Sequence, residues 1–170
     1  MSEWPRRVPL LAVLLVPHLV AAQTSTLVVD GDVGNRLALS ADDVRSMAHQ
    51  RVEVEDQGAR STYDGVPLTA FLARAGVSVG KEPLHGRALV SVVVVTAVDG
   101  YQVVFTLAEL DADAADSKNR IVILADARDG RPLSASEGPL RVIAPGDRHA
   151  SRWVRQVVRL SVVAVTTPKQ

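Results

Sequence analysis

Basic side chains and a tryptophan gather near the C-terminal end of the sequence, in the segment 138–157, GPLRVIAPGDRHASRWVRQV. The chain has two tryptophans, and one of them, Trp153, lies in this basic segment. Guanidinium groups present forked N–H donors that suit phosphates and carboxylates, and an indole ring can stack on a flat ligand. Together with the two shorter loops described next, the segment favours an anionic, planar ligand.

Two shorter loops carry complementary chemistry. The segment 126–131, DARDGR, follows an apolar stretch, and the segment 136–138, SEG, precedes another. A carboxylate such as Asp126 or Asp129 can accept two hydrogen bonds from an N–H/NH₂ edge. Two structural alternatives stay open: Arg128 and Arg131 can be solvated turn charges, and Trp153 can pack in the core.

Most catalytic classes find no matching pattern. His49, His85 and His149 are far apart, whereas a zinc site needs ligands at helix or hairpin spacing. The sequence contains no cysteine, so this chain offers no disulfide, thiolate nucleophile or thiolate metal ligand. Neither a G-x-S-x-G elbow nor a glycine-rich phosphate loop occurs. Residue spacing alone therefore predicts a binding site and no named enzyme activity.

The N-terminus has the pattern of an export signal. Arg6 and Arg7 precede the apolar stretch 8–20, and small residues at 20–22 suit signal peptidase. We expect a signal peptide over 1–22 and one domain over 23–170, in the periplasm; an uncleaved membrane anchor is the alternative. Loss of Glu3, Arg6 and Arg7 from the 19 basic and 19 acidic residues leaves 17 and 18, a net charge near −1. That balance gives no electrostatic footprint for nucleic acid.

Hydrophobic periodicity predicts an α+β domain that is mostly β. Helices are expected from Ser40 to about Met47, from Pro67 to a C-cap at Gly76, and over 107–110. The segment 57–65, QGARSTYDG, is expected to be a loop, and 89–97 a strand buried on both faces. Strands are expected at 27–29, 37–39, 51–55, 89–97, 101–107, 121–125, 140–144 and 157–165.

Five segments together resemble the molybdopterin-binding domain of the sulfite oxidase superfamily. They contain YDGVPL, VDGY, DGRPL, EGPLRVIAPGD and RWVRQV, similar in order and spacing to that family's W-x-G-V-P-L, D-G-Y, N-G-x-P-L, H-G-x-P-L-R-x-x-x-P-G and K-W-V-x-x-I. The resemblance covers about residues 27–163. It implies a mostly β fold with a mixed sheet, a few short helices and a pterin pocket at the loop ends.

The sequence departs from that family at two places. The resemblance implies a molybdenum-binding cysteine in the loop before GVPL, and this sequence has none. Glu137 stands where the family has the histidine of H-G-x-P-L-R. A negative charge there suits the N–H-rich edge of a pterin better than a phosphate.

A cysteine-less branch of short exported proteins, the PruR-like pterin-binding proteins, is similar in these respects. That resemblance implies a non-catalytic periplasmic protein that binds a pterin, holds no molybdenum and signals to the periplasmic domain of an inner-membrane cyclic di-GMP enzyme. It implies Trp153 as the stacking ring and Asp126, Glu137 and Asp147 as candidates for the pterin edge. The remaining candidate ligand-binding residues are Tyr101, Arg128, Arg131, Arg148, Ser151 and Arg152.

Two other functions remain open. One is a molybdenum cofactor-dependent oxidoreductase with an atypical ligand set. The other is an interaction module that keeps the scaffold without binding a small ligand. Arg141 is left between a structural role and a place at the pocket.

Overall fold

The computed structural model describes residues 26–56, 58–80, 83–111 and 121–165, and the predicted signal segment lies outside these ranges. The strands are β1 (Thr26–Gly31), β2 (Leu37–Ser40), β3 (Gln50–Asp56), β4 (Ala59–Pro67), β5 (Ser91–Ala97), β6 (Gln102–Thr106), β7 (Ile123–Arg128), β8 (Arg131–Pro132), β9 (Arg141–Ile143) and β10 (Val157–Ala164). The α-helices are α1 (Ala41–Arg45), α2 (Leu68–Arg74) and α3 (Leu107–Leu110), and 3₁₀ turns occupy Gly86–Val90 and Ala150–Arg152.

The strands are divided between two sheets. The first has the order β2-β1-β10-β5-β6; β1 and β10 run parallel and the other pairs antiparallel, so this sheet is mixed. The second has the order β3-β4-β7-β8, with β9 also paired to β7, and all of its pairs are antiparallel. The prediction of a mostly β fold with a mixed sheet and a few short helices is confirmed.

One hydrophobic cluster joins both sheets and α2. The first sheet contributes Val95 and Leu160, the second contributes Leu124, and α2 contributes Phe71 and Leu72. Each of these side chains is fully buried. The loops that follow β5, β7 and β9 are therefore anchored to one packed core, which fixes their relative positions. Among the residues that the structure describes, no helix has the length and apolarity needed to cross a bilayer.

Several local predictions are confirmed by backbone geometry. Ser40 caps α1 through a capping box with Asp43, and the helix ends at Arg45, two residues before the expected end. α2 begins directly after Pro67, and Gly76 follows its C-cap with φ +83°. A left-handed residue at that position is common after a helix, and glycine adopts it without steric cost.

Two predictions are corrected. The expected loop 57–65 contains most of β4, which pairs with β3 from Ala59↔Asp56 to Gly65↔Gln50. Its buried positions include Ser61 and Tyr63, which carry hydroxyl groups, so the sequence of β4 lacks the alternation of apolar and polar residues that identifies a strand. The stretch 89–97 is not buried on both faces, because β5 alternates between buried residues such as Val93 and half-buried ones such as Val94.

Candidate functional site: a cavity beside a buried arginine

A cavity of about 510 Å³ opens where three loop regions meet. Its wall includes Asp99 and Tyr101 from the β5–β6 hairpin and Ser136 from the loop before β9. The segment between β9 and β10 supplies the remaining wall, including Ser151 and Trp153. A volume in this range is typical of small-molecule sites, which span roughly 300–1,000 Å³. We call this space the first cavity.

Arg141 is the buried cation of the first cavity. Its residue surface is 5% exposed, and its guanidinium carbon lies 5.6 Å from the ring centre of Tyr63 and 5.9 Å from that of Trp153. Its Nη1 donates to the Tyr63 hydroxyl at 3.1 Å and to the Glu137 carboxylate. Its Nε has no hydrogen-bond partner among the described residues. A buried donor left unpaired costs about 1–3 kcal/mol.

Glu137 compensates the charge of Arg141. Its side chain is 15% exposed, and besides Arg141 its carboxylate lies 3.8 Å from Arg128 and accepts from the Ser134 hydroxyl at 3.3 Å. Arg128 in turn donates to the Ser61 hydroxyl at 2.8 Å. Glu137 is thus held between two guanidinium groups, one of which, Arg141, lines the first cavity.

The two aromatic rings that line the first cavity differ in exposure. Trp153 is 6% exposed, donates from Nε1 to the Ala144 carbonyl at 3.0 Å, and meets Tyr63 edge-to-face with ring centres 6.4 Å apart. Tyr101 is 50% exposed, and its hydroxyl donates to the Ser151 carbonyl at 2.9 Å. Trp153 is therefore part of the packed wall, whereas Tyr101 presents a ring surface to a ligand. The stacking role of Trp153 stays a prediction.

Comparison with known proteins places this geometry in a family. Residues 13–170 match the model of the oxidoreductase molybdopterin-binding domain. The chain belongs to this family. As an oxidoreductase-type molybdopterin-binding domain, it also resembles the sulfane dehydrogenase SoxCD from Paracoccus pantotrophus, with 22% identity and a TM-score of 0.60. The match covers 81% of this chain and 37% of that one, and at this identity it shows the fold alone. No curated protein matches the chain.

The residues of the first cavity suit the pterin ring of a molybdenum cofactor better than they suit its metal. A pterin ring carries acceptors that can face the guanidinium of Arg141 and N–H groups that can face the carboxylate of Asp99, and both of these residues line the cavity. Molybdenum in the sulfite oxidase enzymes is held by a soft thiolate, and this sequence has no cysteine. Among the described residues, no group of three or more His, Cys, Asp or Glu could hold a metal ion. The donor set therefore suits a pterin and does not suit thiolate-held molybdenum.

The molybdopterin-binding domain brings together only some of the predicted site residues. Tyr101, Ser151 and Trp153 line the first cavity, and Glu137 lies behind it through Arg141. Asp126 and Arg131 line a different cavity, described below. Arg128 supports Glu137, and Arg148 is exposed in the β9–β10 segment. Sequence spacing could not separate these groups, because loops adjacent in the chain leave the sheets at different places.

Arg152 and Asp147 form a clamp away from the lining of the first cavity. The guanidinium of Arg152 donates to both oxygens of Asp147, at 2.9 and 2.5 Å, and to Glu109 at 2.6 Å. It also lies 4.4 Å above the ring of Phe105. The hydrogen bonds that Arg152 donates to Asp147 are the main reason why the pKa of Arg152 is raised. In this arrangement Arg152 ties the β9–β10 segment to α3 and Asp147 holds Arg152, so neither side chain is free for a ligand.

Three residues of the site carry weak sequence signals. The sequence did not decide whether Arg141 is structural or part of the pocket, although it occupies the arginine position of the PLR motif. Tyr63 occupies the tryptophan position of W-x-G-V-P-L. Burial raises the pKa of the Tyr63 hydroxyl, which keeps it neutral as a partner for Arg141. Gln156 adopts φ +50°, and its amide donates to the Ala135 carbonyl at 2.9 Å. It lines the first cavity and ties β10 to the loop before β9.

Proposed function

We propose that this chain is an exported, non-catalytic pterin-binding protein whose occupancy is sensed by an inner-membrane cyclic di-GMP enzyme. The observation that carries the proposal is Arg141, a buried cation in the wall of a cavity within a molybdopterin-binding fold. The absence of cysteine supports a pterin that is bound without molybdenum.

The chemistry of the first cavity matches a flat bicyclic ring with different edges. Arg141 donates to a ring nitrogen or carbonyl of the pterin, and Asp99 offers a carboxylate oxygen to its N–H edge. One oxygen of Asp99 accepts from the backbone amide of Tyr101 at 2.9 Å, which orients the carboxylate beside that ring. Tyr101 stacks on the face of the pterin.

Titration of the purified protein with oxidised pterin tests this proposal. We expect saturable quenching of pterin fluorescence, and Tyr101→Ala weakens binding by about 5- to 150-fold, because stacking on an aromatic ring is worth about 1–3 kcal/mol in nucleobase complexes. Tyr101 is half exposed, so this substitution spares the core. Tyr101→Phe is the matched variant that keeps the ring, and it retains binding within a few-fold.

A molybdenum oxidoreductase with an atypical ligand set is the alternative that family membership supports. Expression in a host that makes molybdopterin, followed by elemental analysis, separates the two. Pterin without stoichiometric molybdenum agrees with the proposal. Stoichiometric molybdenum that survives dialysis overturns the non-catalytic part of it.

The signalling part rests on the resemblance to PruR-like proteins and on the predicted signal peptide. Deletion of the gene should change cellular cyclic di-GMP, and a copy carrying Tyr101→Ala should fail to restore the parent level while Tyr101→Phe restores it. If both variants restored the cyclic di-GMP level equally, the signal would not depend on pterin binding, and the signalling part of the proposal would be wrong. Recovery of the protein from the periplasmic fraction, cleaved before Gln23, tests the export step.

A further inference from the structure

A second cavity of about 250 Å³ lies between α1, the β7–β8 hairpin and the segment that enters β9. We call it the second cavity; it shares no lining residue with the first. Apolar side chains form much of its wall: Pro132, Leu133, Pro139 and Leu140. Its volume is below the roughly 300–1,000 Å³ of sites for drug-sized molecules, so it suits a smaller one.

The rim of the second cavity carries an uncommitted cation. Arg131 has no ion-pair or hydrogen-bond partner among the described residues, whereas Arg45 is paired with Asp42. Asp126 also lines the cavity; its side chain is 14% exposed and lies 3.1 Å from the Nε2 atom of His49. A guanidinium beside an apolar wall is matched by a molecule with one carboxylate and an apolar body.

The contacts of His49 require a charged ring. Nδ1 lies 2.8 Å from the Met47 carbonyl oxygen, and Nε2 lies 3.1 Å from the Asp126 carboxylate. Both partners are acceptors, and a neutral imidazole has only one N–H, so both contacts form together only in the imidazolium. The other carboxylate that acts on His49 is Asp64, which is itself paired with Arg51 at 2.9 Å.

Protonation of His49 changes the charge beside the second cavity. With neutral His49, the carboxylates of Asp42 and Asp126 balance the guanidiniums of Arg45 and Arg131. With the imidazolium, the same cluster has a net charge of +1. An anion is therefore attracted more strongly below the pKa of His49 than above it.

We propose that the second cavity binds a small organic acid, whose apolar body packs on the proline and leucine side chains and whose carboxylate pairs with Arg131, with higher affinity when His49 is protonated. This site is independent of the pterin proposal, because it uses other residues and a separate space. The ligand class is a monocarboxylate with a short apolar chain or ring.

Hexanoate is the probe, followed by ¹H–¹⁵N correlation spectra of the labelled protein. We expect saturable shifts at the amides of Ala127, Leu133 and Leu140, with affinity about fivefold lower at about pH 8 than at about pH 6. Arg131→Gln lowers affinity about tenfold or more, because a charge-assisted hydrogen bond is lost. Arg148→Gln is the matched control, since Arg148 is also exposed and unpaired among the described residues but lines neither cavity.

Probe analogues separate the two halves of the proposal. Hexanol keeps the apolar body without the charge, and acetate keeps the charge without the body; both should bind at least several-fold more weakly than hexanoate. His49→Gln should remove the dependence on pH while leaving hexanoate binding measurable. Absence of saturable shifts at these amides, parent-like affinity of Arg131→Gln, or equal binding of acetate would each overturn the proposed site.

Discussion

Replacement of Glu137 by glutamine tests whether the Arg141 ion pair stabilises the fold. Arg141 is 5% exposed and the Glu137 side chain 15% exposed, so the pair is largely shielded from water. Removing one partner of a buried pair costs roughly 3–5 kcal/mol, because it leaves an uncompensated charge. Glutamine keeps an acceptor oxygen for Arg141, so we expect the lower end, a loss of about 3 kcal/mol in the free energy of unfolding.

Urea unfolding followed by tryptophan fluorescence measures this loss, because Trp153 lies directly beside Arg141. The midpoint should fall while the m-value stays unchanged, which indicates a change in stability and not in the unfolded state. For a chain of this size, about 3 kcal/mol corresponds to a decrease of about 6–12 °C in Tm. Glu55→Gln is the control: its carboxylate lies 3.6 Å from Arg60, but both side chains are largely exposed, so its loss should stay below about 0.5 kcal/mol.

A double variant decides whether charge is the reason. Arg141→Met removes the cation and keeps an unbranched side chain in the same space. In that background Glu137→Gln should cost less than about 1 kcal/mol, because no buried cation is left without a partner. If Glu137→Gln costs the same in both backgrounds, or no more than Glu55→Gln in the parent, the argument from the buried pair is refuted.

Two further predictions concern pH and backbone packing. Burial alone would lower the pKa of His49, but the hydrogen bonds that its ring donates to Asp126 and to the Met47 carbonyl outweigh it, so the pKa is raised. The stability that His49 contributes is therefore fully present below its unfolded pKa of about 6.5 and is lost as pH rises through its folded pKa. Urea midpoints of the parent should fall across that pH window, and Asp126→Asn should flatten the decline. A rise of the parent's midpoint with pH would contradict this prediction. Gly65→Ala should reduce the free energy of unfolding by several kcal/mol, because the added Cβ would lie 2.4 Å from the Cα atom of Ala125. Gly34→Ala is the control: its added Cβ would have its nearest contact at 3.5 Å, so the loss in the same assay should stay below about 1 kcal/mol.

The sequence predicts most elements of this fold, because their signals are local. The capping box at Ser40, the proline that precedes α2 and the Asp99–Gly100 hairpin each depend on a few adjacent residues. β4 was missed because its buried positions include Ser61 and Tyr63, and the side chains that cover Tyr63 are remote in sequence. Tyr63 is buried by Arg141 and Trp153, which follow it by 78 and 90 positions. No window of sequence contains that contact.

The site was predictable as a set of loops but not as a set of contacts. Trp153 belongs to the basic segment, yet its surroundings include the Ala144 carbonyl and the ring of Tyr63 from β4, which the sequence does not bring together. Arg152 has the residue type of a ligand-binding group, and Asp147, five residues earlier, engages it instead. Residue type indicates what a side chain can bind, and only the fold shows which partner reaches it first.

Charge balance in the first cavity favours a bare pterin over a phosphorylated one. The charged lining residues are Asp99, Arg141 and Arg155, and Arg141 is already paired with Glu137. The negative charges of Asp99 and Glu137 balance the positive charges of Arg141 and Arg155, so the cavity has no surplus positive charge for a phosphate dianion. A neutral ring that donates to Asp99 and accepts from the guanidinium of Arg141 needs no such surplus. Glu137 at the family's histidine position therefore agrees with the ligand that we propose, a pterin without a phosphate.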